Sequence, residues 1–318
     1  MSLPDPAALR AALDNPTGAR PRDLAAELGV SEAHLVAANV GRTVTRIAAA
    51  PDILLPKLAP LRDLMGLTRN DCAVHERTSP YETFEHNRLT GPEIELRIAP
   101  EHWVHGFAIK RAEGAKGPER SFQVFDAEGQ AVHKIYPRSR TDLADWDRVA
   151  AELATKDGSD VFDARALPKP QPATAARLAD LVAAQRLDRV AALRAAGQDE
   201  ARALAPEALN SALEALGGSK ISIELTVANR GVSQIHRGPV ERIQPMGPWQ
   251  NVLDPRFNLH LRADLVAALW SVPLAAGHLA LDAFESAGQP ILTLSSHGAD
   301  PSAFAELVSA LPLLEPVP

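Results

Sequence analysis

The sequence predicts an α+β protein made by internal duplication, with two antiparallel β-sheet halves each flanked by helices. Three observations predict it. The first is a set of landmarks repeated at one offset: Asn70 and Asn229, Phe125 and Phe284, and Gly129 and Gly288 all lie 159 positions apart. TRNDCAVHE at 68–76 answers to TVANRGVSQIH at 226–236, and SFQVFDAEGQAVHKI at 121–135 to HLALDAFESAGQPILT at 278–293. A unit this long is a domain, because solenoid repeats run about 20–50 residues. The second is period-two alternation, in which Ile94, Leu96 and Ile98 are separated by Glu95 and Arg97, and Phe122 and Val124 by Gln123. The third is the order helix, strands, helix, given twice, which is α+β and not the β-α alternation of a parallel nucleotide-binding sheet.

The first 60 residues read as helices. PRDLAAELG at 21–29 is an amphipathic turn pattern stopped by glycine, and Ser31-Glu32-Ala33-His34-Leu35 is a capped restart. From Cys72 to Tyr136 the pattern is strand-like, with a hairpin turn at Ala127-Glu128-Gly129-Gln130. Residues 141–154 return to helix. Residues 155–174 lack apolar periodicity and carry Pro168, Pro170 and Pro172 at every second position, as a linker does. Residues 175–216 are Ala-rich and predict helices broken near Gly197 and Pro206, with Gly217-Gly218-Ser219-Lys220 as a C-cap. Lys220 to Ser295 alternates again around a matching turn at Ser286-Ala287-Gly288-Gln289, and Pro301 to Leu311 predicts a last helix. The expected domains are a first repeat at 1–155, a Pro-rich linker at 156–174 and a second repeat at 175–318.

Composition narrows the function. Hydrophobic content of 46% and charged content of 23% are those of an ordinary globular chain. The net charge of −7 provides no field for nucleic acid or an anionic membrane. The opening MSLPDPAALRAAL has no basic segment followed by an apolar run, and no stretch approaches a membrane span, so neither secretion nor membrane insertion is expected. Cys72 is the sole cysteine, which excludes an internal disulfide and fits a reducing, cytoplasmic setting.

Most motif-like segments dissolve on inspection. Residues 22–41 resemble a helix-turn-helix, but residues 1–50 carry five Arg against five Asp plus Glu, so a packed helical pair is expected instead of DNA binding. His102 and His105, three apart, would face opposite sides of a strand and could not share a metal. There is no HExxH, no CxxC pair, no P-loop spacing and no GxSxG elbow. No metal site and no catalytic residue are nominated. The densest segment is GPWQNVLDPRFNLHLR at 247–262, two turns around a short strand. Asn258, His260 and Arg262 then share one face of the next strand, and Leu259 and Leu261 the other. That polar face suits water or a ligand equally.

Continued as IHRGPVERIQPMGPWQNVLDPRFNLHLR, this segment resembles the bacterial hemin-degrading and hemin-transport family of the HemS, ChuS and HmuS type. LTRNDCAVHE, IELRIAPEHWVHGFAIK and SFQVFDAEGQAVHKIY extend the resemblance over nearly the whole chain. It implies two similar halves, and haem in a cleft between one sheet and the helices joining the halves. It also implies cytoplasmic haem carriage, with degradation in some members. The departures are specific. The family's axial histidine falls at about Ala176, and no histidine occurs between His133 and His236. The aromatic pair after it becomes Leu178 and Ala179. Trp270-Ser271-Val272-Pro273-Leu274 lacks an expected Lys, and Leu294-Ser295-Ser296-His297 an expected Arg. Arg97 and Arg189 survive at positions that the resemblance assigns to the haem cleft, and His297 is the expected substitute ligand. Iron needs a His, Cys, Tyr or Met donor, and propionates need Arg or Lys. The leading expectation is a haem-binding, haem-trafficking protein with an altered cleft. The alternatives are a binder of another flat anionic molecule or an interaction scaffold, and a haem-degrading enzyme.

Overall fold

The computed structural model describes residues 5–14, 20–114, 117–166, 189–196 and 201–314. The first half of the chain supplies β1 (Val44–Ile47), β2 (Asp63–Arg69), β3 (Ala73–Pro80), β4 (Thr83–Glu85), β5 (Arg88–Thr90), β6 (Glu95–Ile98), β7 (His105–Gly114), β8 (Gly117–Phe125) and β9 (Ala131–Pro137). The second half supplies β10 (Arg202–Leu204), β11 (Ile223–Ala228), β12 (Val232–Gly238), β13 (Ile243–Met246), β14 (Trp249–Leu253), β15 (Phe257–Arg262), β16 (Ala268–Pro273), β17 (Leu279–Phe284) and β18 (Pro290–Ser296). Two compact units result, one from residues 1–68, 78–167 and 229–232, the other from 69–77, 168–228 and 233–318.

In the first unit an antiparallel sheet runs β1-β7-β8-β9-β2, and β4, β5 and β6 form a short ladder. Alternation sends Phe122, Val124 and Ile135 into a core where each is fully buried. The helix Leu143–Leu153 covers it. Asp142 starts that helix by accepting the Ala144 and Asp145 N–H groups at 2.8 and 3.2 Å. Trp146, Val149 and Leu153 face inward, and Trp146 stacks on Phe122 at 4.2 Å with the rings 12° apart. Burying side chains of this size contributes roughly 1.5–3 kcal/mol each. In the second unit the sheet runs β10-β16-β17-β18-β11-β12. The helices Ala208–Leu216 and Ser302–Ser309 bury Leu209, Leu213, Phe304 and Val308 against Leu225, Leu281 and Leu294. A second ladder, β13-β14-β15, pairs with Ala73–Arg77 of β3.

The duplication read from the sequence is present in detail. β9 and β18 begin at Ala131 and Pro290, and the covering helices at Leu143 and Ser302, again 159 apart. Gly129 and Gly288 hold the same turn at φ +83° and +81°, where a side chain would be strained. Each glycine N–H donates four-residue-turn fashion, to the carbonyls of Asp126 and Glu285. Asn70 and Asn229 do the same work as well. Asn70 Oδ1 accepts from the Cys72 and Ala73 N–H groups, and Asn229 Oδ1 from those of Gly231 and Val232. Their amides donate across to a neighbouring strand, to the carbonyls of Ile291 and Val132 at 2.7 and 2.8 Å.

Four local expectations need correction. Residues 44–47 are a strand, because Val44, Thr45 and Ile47 are β-branched and pair with β7. Residues 202–204 are a strand paired with β16, not helix; only Arg189–Ala196 and Ala208–Leu216 are helical among the described residues of 175–216. Gln123, placed on the polar face, is buried and donates to Ser121 Oγ at 3.0 Å. His102 ends a 3-10 turn and His105 opens β7, so the two do not share the strand on which the expectation placed them. Residues 155–166 of the expected linker are tied down in the first unit: Arg46 donates to the carbonyls of Ser159 and Val161 at 2.8 and 2.7 Å.

Candidate functional site

In the first unit the turn His86-Asn87, at φ 50° and 59°, folds β5 back on β4, and β5 pairs in turn with β6. The register sets Arg88 directly opposite Arg97. Between them Glu95, 5% exposed, accepts from Arg88 Nη2 at 2.7 Å and Arg97 Nε at 3.2 Å. Both arginine side chains are more than half exposed, at 53% and 57%. Each guanidinium therefore gives one N–H to Glu95 and presents the others outward. The trio carries one net positive charge and a fork geometry matched to carboxylates. Arg97 was legible in the sequence; Arg88 was not, although it directly follows the turn-forming His86-Asn87 pair.

The ladder β13-β14-β15 of the second unit has the same antiparallel strand order with other residues and longer strands. Asn251 lies opposite His260, and Trp249 opposite Arg262. Phe257, Leu259 and Leu261 are buried, and Asn258, His260 and Arg262 are half-buried on the other face, as alternation predicts. His260 Nδ1 lies 2.7 Å from Asn251 Oδ1, and Asn251 Nδ2 donates to the Gln244 carbonyl at 2.9 Å. Arg262 sits over the Trp249 ring at 5.5 Å and donates twice to Asp264. The segment singled out as densest thus forms an ordered polar face.

Arg189, at the start of the helix Arg189–Ala196, is ion-paired with Asp282, whose other oxygen accepts from Thr293 Oγ1 at 2.7 Å. Burial pushes the Asp282 carboxyl up, and Arg189 and Thr293 pull it back. Expected as a ligand contact, Arg189 instead neutralises a buried carboxylate. His297 lies just past β18, half-buried, with its backbone N–H donating to the Ser222 carbonyl at 3.0 Å. Ala176, Leu178 and Ala179 lie outside the described residues. Arg97 and Arg189 belong to different units.

Two buried histidines went unnoticed in the sequence. His133 is fully buried between Thr68 Oγ1 at 2.9 Å from Nδ1 and the Tyr81 hydroxyl at 2.8 Å from Nε2. Burial drives its pKa down to about 3 and the Tyr81 phenol up. His236 stacks on Phe257 at 4.0 Å, 4° from parallel, and burial with the nearby Arg77 charge takes it to about 3 as well. Both are neutral structural residues.

The sequence profile of the haemin-degrading HemS/ChuX domain matches residues 29–153 and again 186–311. Hemin transport protein HemS of Yersinia enterocolitica is 30% identical over 283 residues, covering 82% of this chain and 81% of that protein. Among solved structures, holo-PhuS, a heme-binding protein from Pseudomonas aeruginosa, is similar at 33% identity with a TM-score of 0.88, covering 98% of this chain and 100% of that one. ChuS, an E. coli heme oxygenase, is similar at 25% identity and a TM-score of 0.83, covering 95% of this chain and 98% of that one.

Proposed function

Because the chain belongs to the haemin-degrading HemS/ChuX domain family, we propose that it binds haem and carries it in the cytoplasm for iron acquisition. The observation that carries this reading is the Arg88–Glu95–Arg97 arrangement. Glu95 fixes both guanidinium planes, and their outward N–H groups suit the carboxylates of a flat dianionic ring. Arg97 is the contact assigned to such a carboxylate, and His297 remains a possible donor at the edge of β18. Arg189 enters only as the cation that holds its helix to the sheet through Asp282. The lone, buried Cys72 fits a reducing compartment, and among the described residues no helix is long and apolar enough to cross a membrane. Bound haem would supply an iron centre; this chain's residues would supply the charge and the orientation.

The test titrates haem and protoporphyrin IX separately into the purified chain. Haem is expected to give a Soret shift and to bind more tightly than the metal-free ring. Arg97→Gln should weaken both by about 5–10-fold, the loss of one charge-assisted contact. Failure of both rings to bind would refute haem handling, and equal affinity for both would favour a binder of flat anions that uses no iron ligand. Oxidative opening of the ring is supported by the likeness to ChuS and by no residue of this site.

A further inference from the structure

In the second unit β10 is short, and its Ala203 and Leu204 pair with Trp270 and Leu269 of β16. Pro206 follows and has no N–H with which to extend the ladder. A cleft of about 90 Å³ opens there. Leu204 and Leu269, each 1% exposed, are its most buried lining, and Ala268 and Trp270 are half-buried walls. Leu314, 54% exposed, stands at the rim, where its backbone N–H donates to the Ala203 carbonyl at 3.1 Å.

One charge meets this apolar lining. Arg194, in the last turn of the helix Arg189–Ala196, lines the cleft and is exposed. It forms no ion pair with a described residue, and among the described residues no Asp or Glu lines the cleft. A guanidinium beside an indole and aliphatic walls selects a carboxylate with an apolar body. Volume limits that body. A water takes about 30 Å³ and an engineered cavity of about 150 Å³ holds benzene, so this cleft accepts a chain of about three or four carbons.

We infer that this cleft binds a short-chain monocarboxylate, with the alkyl chain against Leu204, Leu269 and Trp270 and the carboxylate on Arg194. The site belongs to the second unit, and haem at Arg88 and Arg97 is not needed for it. Occupancy would act on the helix as well. Arg189 ties the start of that helix to β17 through Asp282, and a carboxylate on Arg194 adds a tie near its other end.

The experiment follows the amide and indole N–H resonances of the full chain by NMR as acetate, propionate, butyrate, hexanoate and neutral butyramide are added in turn. Affinity should rise about fourfold per methylene from acetate to butyrate, the worth of one buried methylene, and fall at hexanoate, which overfills the cleft. Shifts should concentrate on the Trp270 indole and on Ala203 and Ala268, and hydrogen exchange in Arg189–Ala196 should slow. Butyramide on the wild type, and butyrate on Arg194→Gln, should each bind about 10-fold more weakly than butyrate on the wild type. Ala268→Leu should abolish butyrate binding; if circular dichroism shows that variant unfolded, the ligand series on the wild type still decides. Equal affinity along the acid series, or unchanged butyrate affinity in Arg194→Gln, would overturn the inference and leave Arg194 as the cation that complements the end of its helix. Shifts confined to residues outside the cleft would overturn it as well.

Discussion

His133 is fully buried between Thr68 and Tyr81, and this decides how the protein answers to acid. Its folded-state pKa of about 3 lies below the ordinary 6.5, so the folded chain excludes a proton that the unfolded chain takes up. Stability is then fully present above pH 6.5 and is lost as pH falls from 6.5 toward 3. His236 acts over the same window. Each histidine contributes a slope of up to about 1.4 kcal/mol per pH unit. Urea unfolding at pH 6.5 and 4.5 should therefore differ by about 4–5 kcal/mol in the wild type, and by about half as much in His133→Gln. An unchanged difference would mean that His133 is protonated when folded. Arg189 and Asp282 make a second residue-scale case. Asp282→Ala strands Arg189 over a sheet and should destabilise by about 3–5 kcal/mol, whereas replacing the pair together by Met and Leu should recover most of it. Denaturant midpoints of the single and double variants decide this.

At the scale of elements, the two repeats share a turn but not its neighbours. Gly129 and Gly288 both need a left-handed backbone, costing about 1–2 kcal/mol for alanine. A Cβ on Gly129 would also collide with Ser31 Oγ, and would lie 2.9 Å from the Phe162 ring, whereas at Gly288 the nearest atom is 3.9 Å away. Gly129→Ala should thus lower the melting temperature clearly more than Gly288→Ala. Equal effects would show that the helix Ser31 caps and the segment around Phe162 yield freely. The ladders diverge in the same manner: directly after the two-residue turn, one sets Arg88 opposite Arg97 and the other Trp249 opposite Arg262. Duplication preserved the backbone pairing, and the exposed face was free to change its chemistry.

For the whole molecule, the units do not coincide with continuous halves. Asn229–Val232 belongs to the first unit, where the Gly231 carbonyl accepts from Trp103 Nε1 at 2.8 Å and Val232 joins the core. A fragment of residues 1–166 lacks that acceptor and that side chain, and keeps residues 69–77, which belong to the other unit. Such a fragment should show broad, poorly dispersed amide spectra and a much lower unfolding midpoint than the full chain. Sharp, cooperative unfolding of the fragment alone would show that the exchanged segment is dispensable.

The sequence by itself determined the duplication, the antiparallel strands and the family, because landmarks such as Asn70, Asn229, Gly129 and Gly288 fix backbone geometry locally and recur at one spacing. It also placed Asn258, His260 and Arg262 on one face, since strand alternation is a local rule. It missed the strands at 44–47 and 202–204, whose short segments are decided by the partner strands β7 and β16. Only the tertiary structure set Arg88 against Arg97 over Glu95, paired Arg189 with Asp282, and brought Asn251 Oδ1 to His260 Nδ1. These are contacts between side chains brought together by strand pairing and packing, and charge or ligand capacity depends on such neighbours more than on residue type.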